Sequence, residues 1–105
     1  YLERAARMAP TDDKVRNDLG VVYLNQLRLD EARFEFLTAL ELKQTDSLAA
    51  LNLVTLLIYQ DQWSQAAELA SRAELTPAQA GDAQARAQAL KTQAKTASNQ
   101  VAAIK

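Results

Sequence analysis

A repeat interval of about 34 residues is the feature that most limits how this chain can fold. Small, bulky and polar residues recur at that interval in the same order. Sequences with an internal period of this size fold as stacked copies of one small unit, because each copy buries its apolar face against the next. The recurring pairs are Leu19 and Leu53, Gln26 and Gln60, Asp30 and Ser64, Ala32 and Ala66, and Ala39 and Ala73.

Each unit has the pattern of two amphipathic helices. In the first unit, Val15, Leu19 and Val22 follow the three-and-four spacing of a helical stripe, and Ala32 and Phe36 form a second stripe after a break. Gly and Pro number only two each, too few for the many turns of an all-β protein. The sequence therefore predicts an all-α fold. The predicted helices span 1–9, 13–26, 30–43, 47–60, 64–75 and 77–103.

Capping residues mark where the second helix of each unit is expected to begin. Asp30 and Ser64 stand at equivalent places, and both are good N-cap residues. Each follows a bulky apolar residue, Leu29 or Trp63, as in a hydrophobic staple. We therefore predict that Asp30 and Ser64 cap the helices 30–43 and 64–75.

The first unit resembles a tetratricopeptide repeat between Asp13 and Asp46. The resemblance implies a right-handed superhelical stack of antiparallel helix hairpins. In such a hairpin Gly20 and Ala32 let the two helices approach closely, while two aromatic side chains fill the wedge between them. The residues at the signature spacings of the family are Leu19, Gly20, Tyr23, Ala32, Phe36 and Ala39.

The second unit departs from the family pattern at Val54, at Leu57 (which replaces the family's Tyr) and at Ala70, and the first and last of these departures compensate each other. Val54 stands where the first unit has Gly20, and Ala70 stands where it has Phe36. Placing a smaller residue opposite a larger one keeps the total volume similar. The resemblance covers residues 1–77 and implies a single tetratricopeptide-like domain over 1–105. Its predicted parts are 1–10 (the second helix of a truncated repeat), 13–46 and 47–76 (two repeats) and 77–103 (a capping helix).

The last predicted helix carries a narrow apolar seam. Thr76 and Pro77 are typical of a helix N-terminus, whereas Gly81 weakens the first turn and favours a kink or a later start near Asp82. Two interpretations stay open: a helix that caps the last hairpin, or a contact with another molecule. The seam consists of Ala80, Ala83, Ala87, Leu90, Ala94, Ala97, Val101 and Ile104.

The chain lacks the side chains on which most catalytic and metal sites depend. It has no His and no Cys, which removes the commonest general base, thiolate nucleophiles and the usual zinc ligands. Lys and Arg number 12 against 13 Asp and Glu, so no basic surplus favours nucleic acid. Asp12 and Asp13 precede a helix, where carboxylates serve as caps. We predict a non-enzymatic chain without cofactor, metal or nucleic-acid partner.

Membrane insertion by this chain is not expected. The longest apolar run, from Leu53 to Tyr59, is interrupted by Thr55 and is too short to cross a bilayer. The chain opens at Tyr1 inside a predicted helix, and we expect it to be a piece of a longer protein.

The resemblance also implies a binding surface. In tetratricopeptide arrays the first helix of each pair lines a concave groove that takes up a peptide or an amphipathic helix of another protein. Helix 47–60 is apolar nearly all round, so something is expected to cover it: the chain's own C-terminal helix, a partner, or a second copy. Dimerisation through this helix or through the alanine seam is therefore the alternative function. The predicted groove residues are Lys14, Asn17, Val21, Leu24, Asn25, Leu48, Leu51, Asn52, Thr55, Ile58 and Tyr59.

Three short motifs are similar to those of the tetratricopeptide proteins of the bacterial tight-adherence (Flp) pilus-assembly system. They lie at 17–21, 49–53 and 73–79. This narrower resemblance implies a scaffold for pilus or secretion-system assembly, located in the cell envelope or the cytoplasm, with the envelope favoured.

Overall fold

A computed structural model describes the backbone of residues 12–104 and the side chains of residues 12–96. This part of the chain contains five α-helices and no strand. Four of them match the predicted spans closely, and the predicted helix 1–9 lies outside the described residues. The all-α prediction is confirmed. The helices are α1 (Asp13–Asn25), α2 (Leu29–Leu42), α3 (Ser47–Tyr59), α4 (Trp63–Arg72) and α5 (Pro77–Ile104).

The turns inside the two hairpins are the same, and they correct the predicted helix starts. Leu27 and Asp61 both adopt the left-handed conformation, with φ of 59° and 60°. The amide of the next residue then donates to a carbonyl five residues back, as in a Schellman motif. After this tight turn the chain becomes helical one residue earlier than predicted. The second helices therefore begin at Leu29 and Trp63, with Arg28 as the N-cap of the first.

The predicted N-caps Asp30 and Ser64 were therefore wrong. Both lie one residue inside their helices, and neither α2 nor α4 has a side-chain cap hydrogen bond. The predicted staple was wrong for the same reason, because Leu29 and Trp63 are helical residues rather than residues before a cap. The helix α4 also ends at Arg72 instead of 75.

Other helix ends follow the sequence signals. Asp12 caps α1, its Oδ1 accepting from the amide of Lys14 at 2.9 Å. Asp46, which lies one repeat interval later, accepts from the amide of Ala49 at 3.0 Å and caps α3. At the start of α5, Thr76 and Gln79 exchange hydrogen bonds in a capping box. The helix α5 begins at Pro77 and continues through Gly81, so the expected delay does not occur.

The core of the first hairpin is built around one aromatic ring. Phe36 is completely buried, as are Ala32 and Ala39. A Cβ atom added to Gly20 would lie 2.5 Å from Cε1 of Phe36, a distance that real Cβ atoms do not adopt. Gly20 is therefore small because the ring of Phe36 lies directly against its backbone. The ring, rather than close helix approach alone, explains this glycine.

In the second hairpin, Val54 is buried at 2% exposure and Ala66 at 4%, while Ala70 is half-buried. The exchange of a large and a small residue thus keeps the hairpin packed internally. It leaves the outer side of Ala70 open.

The helix α5 packs differently from α3, the helix that stands one repeat earlier in the chain. The helix α3 packs against α2, the second helix of the preceding hairpin, whereas α5 packs against α3 and hardly touches α4. Within the seam, Ala83, Ala87 and Leu90 are buried, and Ala80 and Ala94 are half-buried. The side chains of 97–104 lie outside the description, so the end of the predicted seam is not tested.

Candidate interaction surface on the concave face

The helix α5 divides the predicted groove into a covered part and an open part. The covered part lies toward the C-terminal ends of α1 and α3. Leu24 is completely buried there, and Ile58 is buried at 6% exposure. Both belong to one apolar cluster with Ala83, Ala87 and Leu90 of α5. In this conformation a partner cannot reach Leu24 unless α5 moves.

Polar contacts at the same end tie α5 to both hairpins. Asn25 is an exposed residue, yet its Oδ1 accepts from Nη2 of Arg86 at 2.8 Å and its backbone carbonyl accepts from Nε2 of Gln93 at 3.2 Å. Nζ of Lys91 donates to Oδ1 of Asp61, just beyond α3, at 2.8 Å. Tyr59 lies close to this end and is half-buried. These exposed contacts orient α5, and each contributes well under about 1 kcal/mol to stability because water competes for it.

Three of the predicted groove residues are internal polar residues. Asn17 and Asn52 are buried at 3% and 7% exposure, and Nδ2 of Asn52 donates to Oδ1 of Asn17 at 2.9 Å. Thr55 is buried and donates to the backbone carbonyl of Leu51 at 3.0 Å. Within the described residues no buried side-chain nitrogen or oxygen lacks a partner. The Asn17–Asn52 bond therefore joins α1 to α3, whereas the Thr55 bond lies within α3.

The open part lies toward the N-terminal ends of α1 and α3. Leu48 is 57% exposed, Lys14 is exposed, and Val21 and Leu51 are half-buried. The expectation that helix 47–60 is covered on every face therefore fails at Leu48, whereas its neighbours from Ala49 onward are mostly buried within the chain. Leu48 borders a pocket of about 370 Å³ between the two helix starts. The pocket is lined by Asp13, Lys14, Asn17, Asp18, Lys43, Thr45, Asp46, Ser47 and Leu48.

The electrostatics of this pocket are dominated by two neighbouring carboxyl groups. A hydrogen bond with Asp46 raises the pKa of Asp13 above its usual value, and desolvation and the negative charge of Asp46 act in the same direction. Lys43 opposes the shift. Counting Asp18, three carboxylates face two ammonium groups in the lining, so the pocket favours a cationic group over an anionic one.

Sequence reasoning missed most of these acidic residues. Asp46 recurs one repeat interval after Asp12, and that signal alone identifies both as caps that bring two helix starts together. It also missed the ion pair between Nη1 of Arg16 and Oε1 of Glu35, which join α1 to α2 at 3.0 Å. Glu35 is 4% exposed. The buried carboxylate of Glu35 is therefore paired with the guanidinium of Arg16.

Two other kinds of site find no support over the residues that the structure covers. No three acidic, His or Cys residues are grouped as metal ligands would be. No helix among those described is both long enough and apolar enough to span a membrane.

Stacked helical hairpins that recur at a fixed interval, joined by buried small residues, define an α-helical repeat protein. No family model matches the chain. The chain is 45% identical over 86 residues to a TPR repeat-containing protein of Pseudomonas aeruginosa, an alignment that covers 82% of this chain and 35% of that protein. The chain belongs to the tetratricopeptide repeat family. It spans about a third of the length of its curated relative.

Proposed function

We propose that this chain is a non-catalytic scaffold that binds a segment of another protein in the open part of its concave face. Tetratricopeptide proteins generally act in protein–protein interaction. The observation that carries the proposal is the exposure of Leu48 beside an acid-lined pocket, on a helix whose other leucines are buried or half-buried. Peptide-binding sites combine apolar contacts with a few polar groups in a recess, and Leu48 beside this pocket offers that combination.

The chemistry of the surface favours one kind of segment. Leu48 and the half-buried Leu51 and Val21 offer contact to an apolar side chain. The carboxylates of Asp13 and Asp46 offer hydrogen bonds to a cation. We therefore propose a peptide or amphipathic helix that carries Lys or Arg next to a bulky apolar residue.

The test is a pull-down from an extract of the source cells, quantified by mass spectrometry, with the wild-type chain and with Leu48→Asp. Leu48 is exposed, so the substitution is compatible with folding, which circular dichroism checks. We expect at least one bound protein to fall about tenfold, because a carboxylate would be buried against an apolar side chain. Leu37→Asp is the matched control, since Leu37 is an exposed leucine on α2 at 45% exposure, away from the pocket. Equal recovery of all partners by Leu48→Asp and wild type would contradict the proposal.

A narrower proposal assigns the scaffold to pilus or secretion-system assembly. It is supported by the resemblance of the motifs at 17–21, 49–53 and 73–79. The same Leu48→Asp variant, placed in the chromosomal gene of the source bacterium, is expected to reduce the number of surface pili or the amount of secreted protein relative to Leu37→Asp. Unchanged assembly together with a lost partner in the pull-down would reject only this narrower proposal.

A further inference from the structure

The second hairpin carries an apolar groove beside α4, separate from the pocket at Leu48. We name it the α4/α5 groove. Val54 and Ile58 form its floor, Ala66, Ala67 and Ala70 form the α4 wall, and α5 forms the other wall. Its volume is about 290 Å³. Trp63 lies at its mouth and is 52% exposed, an unusual place for the one tryptophan of the chain.

The first hairpin shows what covers the equivalent position. The helix α3 follows that hairpin and packs against α2. Arg33 on α2 reinforces the contact, because its Nη2 donates to Oε1 of Gln60, next to the end of α3, at 2.5 Å. The repeat interval therefore predicts a helix lying against α4 in the same way. The helix α5 does not take that place, since it packs on α3 instead.

Residues at equivalent positions of α2 and α4 differ in a way that fits the missing contact between α4 and α5. Leu29 is half-buried against the apolar core, whereas Trp63, its equivalent in the second hairpin, is exposed. Ala67 replaces Arg33, so α4 has no long polar side chain at the position from which Arg33 contacts Gln60 in the first hairpin. The α4 wall is therefore left with small, uncharged side chains and an aromatic residue that the described part of the chain leaves exposed.

From this comparison we infer that the α4/α5 groove receives an amphipathic α-helix of a partner protein, docked against α4 as α3 is docked against α2. The contacting face of that helix carries small and aliphatic side chains. Alanine walls permit close approach of a helix, and the apolar floor and wall contain no formal charge that would select a charged face. The inference does not depend on binding in the concave pocket, because no residue lines both surfaces.

The helix α3 itself supplies the probe. A synthetic peptide covering residues 46–62 with three added C-terminal lysines for solubility is titrated into the full chain, and the emission of Trp63 is recorded. The peptide contains no tryptophan, so the signal reports Trp63 alone. We expect a saturable shift of the emission to shorter wavelength, since docking removes water from the indole ring. A peptide of the same composition in scrambled order is expected to give no saturable shift.

Substitutions on α4 test whether the peptide binds in the α4/α5 groove. Ala67→Glu and Ala67→Lys each place a charge on the groove wall at an exposed position, and each is expected to weaken binding at least tenfold. Charges of opposite sign are used because the lysine tail of the peptide would attract Glu and repel Lys. A loss of binding with both variants is therefore due to desolvation of the charge in the groove. Gln65→Glu is the matched control, because Gln65 is an exposed α4 residue that does not line the groove. It is expected to bind as wild type does.

The outcomes separate this inference from the proposed function. Leu48→Asp is expected to bind the peptide normally, because Leu48 lies in the concave pocket. The inference is overturned if no saturable shift occurs, if the scrambled peptide shifts the emission equally, or if both Ala67 variants bind like wild type. Loss of binding by Leu48→Asp alone would place the peptide in the concave pocket and would also overturn it.

Discussion

The two hairpins of this chain share their interval, their turn and a buried alanine, and they differ in how their outer side is closed. In the first, Phe36 fills the space over Gly20 and the following helix packs against α2. In the second, Val54 and Ala70 replace that pair, and the following helix moves onto α3. The same local rules thus give one closed and one open hairpin.

The difference shows what positions a helix on a repeat. The helix α3 is joined to the first hairpin by the buried Asn17–Asn52 hydrogen bond and by the contact from Arg33 to Gln60. Both have defined geometry, and unmaking the buried one would leave an amide without a partner. The helix α5 is held mainly by small apolar side chains and by exposed polar contacts. Directional buried contacts therefore specify one docking mode, whereas an alanine seam allows several.

Exchanging the core pair of the first hairpin for that of the second should have the largest effect. Phe36→Ala is expected to lower the free energy of unfolding by about 3–5 kcal/mol, because it leaves a cavity. Gly20→Val is expected to lower it by roughly 1–3 kcal/mol, since the new side chain meets the ring of Phe36. The double variant should lose less than the sum by about 1 kcal/mol or more. Urea denaturation followed by circular dichroism measures all three.

The control for these three variants is the reciprocal exchange in the second hairpin. Ala70→Phe alone is expected to destabilise the chain, and adding Val54→Gly is expected to recover part of the loss. Additive effects in both hairpins would show that these positions do not compensate each other, and the contrast between a closed and an open hairpin would lose its structural cause.

The turns allow a finer comparison. Glu74 is exposed and has φ of 55°, which strains an L-residue by roughly 1–2 kcal/mol. Glycine removes this strain but raises the entropy of the unfolded chain, which offsets roughly 0.5–1 kcal/mol. Glu74→Gly is therefore expected to stabilise the chain by roughly 0.5–1 kcal/mol. Urea denaturation monitored by circular dichroism gives this value.

Asp61→Gly is the matched variant in the second hairpin. It removes the same backbone strain, with φ of 60°, but it also removes the contact with Lys91 of α5. Asp61→Gly should therefore raise the free energy of unfolding by less than Glu74→Gly does. An equal gain would show that the Lys91 contact does not help to hold α5 in place.

The sequence predicts the helices and their interval well because those depend on local patterns. The burial of Ala32 and Ala66 follows from their recurrence opposite bulky residues, and both are buried. The start of α2 was displaced by one residue because the left-handed turn is formed by Leu27, which carries none of the signal that a glycine would give. Such a turn depends on the hydrogen bonds it closes rather than on residue preference.

The position of α5 is the part of the structure that sequence reasoning left open. Its alanine seam predicts which face is buried, and Ala83 and Ala87 are buried as expected. An alanine side chain is a single methyl group, so the seam by itself does not specify whether α5 packs on α3 or on α4. Only the absence of an Arg33 equivalent at Ala67 hints that α4 would be left uncovered. The acidic pocket was missed because its residues serve as caps or flank them, and the pocket forms only where two helix starts meet.

The pair Asp13 and Asp46 gives the smallest expected effect and links the two hairpins at their other end. The pKa of Asp13 is raised in the folded chain by its hydrogen bond to Asp46, so the folded state binds a proton more tightly than the unfolded state does. Stability from this group is therefore complete below the unfolded pKa and is lost as pH rises through the folded pKa. Asp13→Asn should flatten the fall in melting temperature above pH 4, measured by circular dichroism from pH 3 to 7. A profile of Asp13→Asn that matches wild type would show that the two carboxyl groups do not interact in solution.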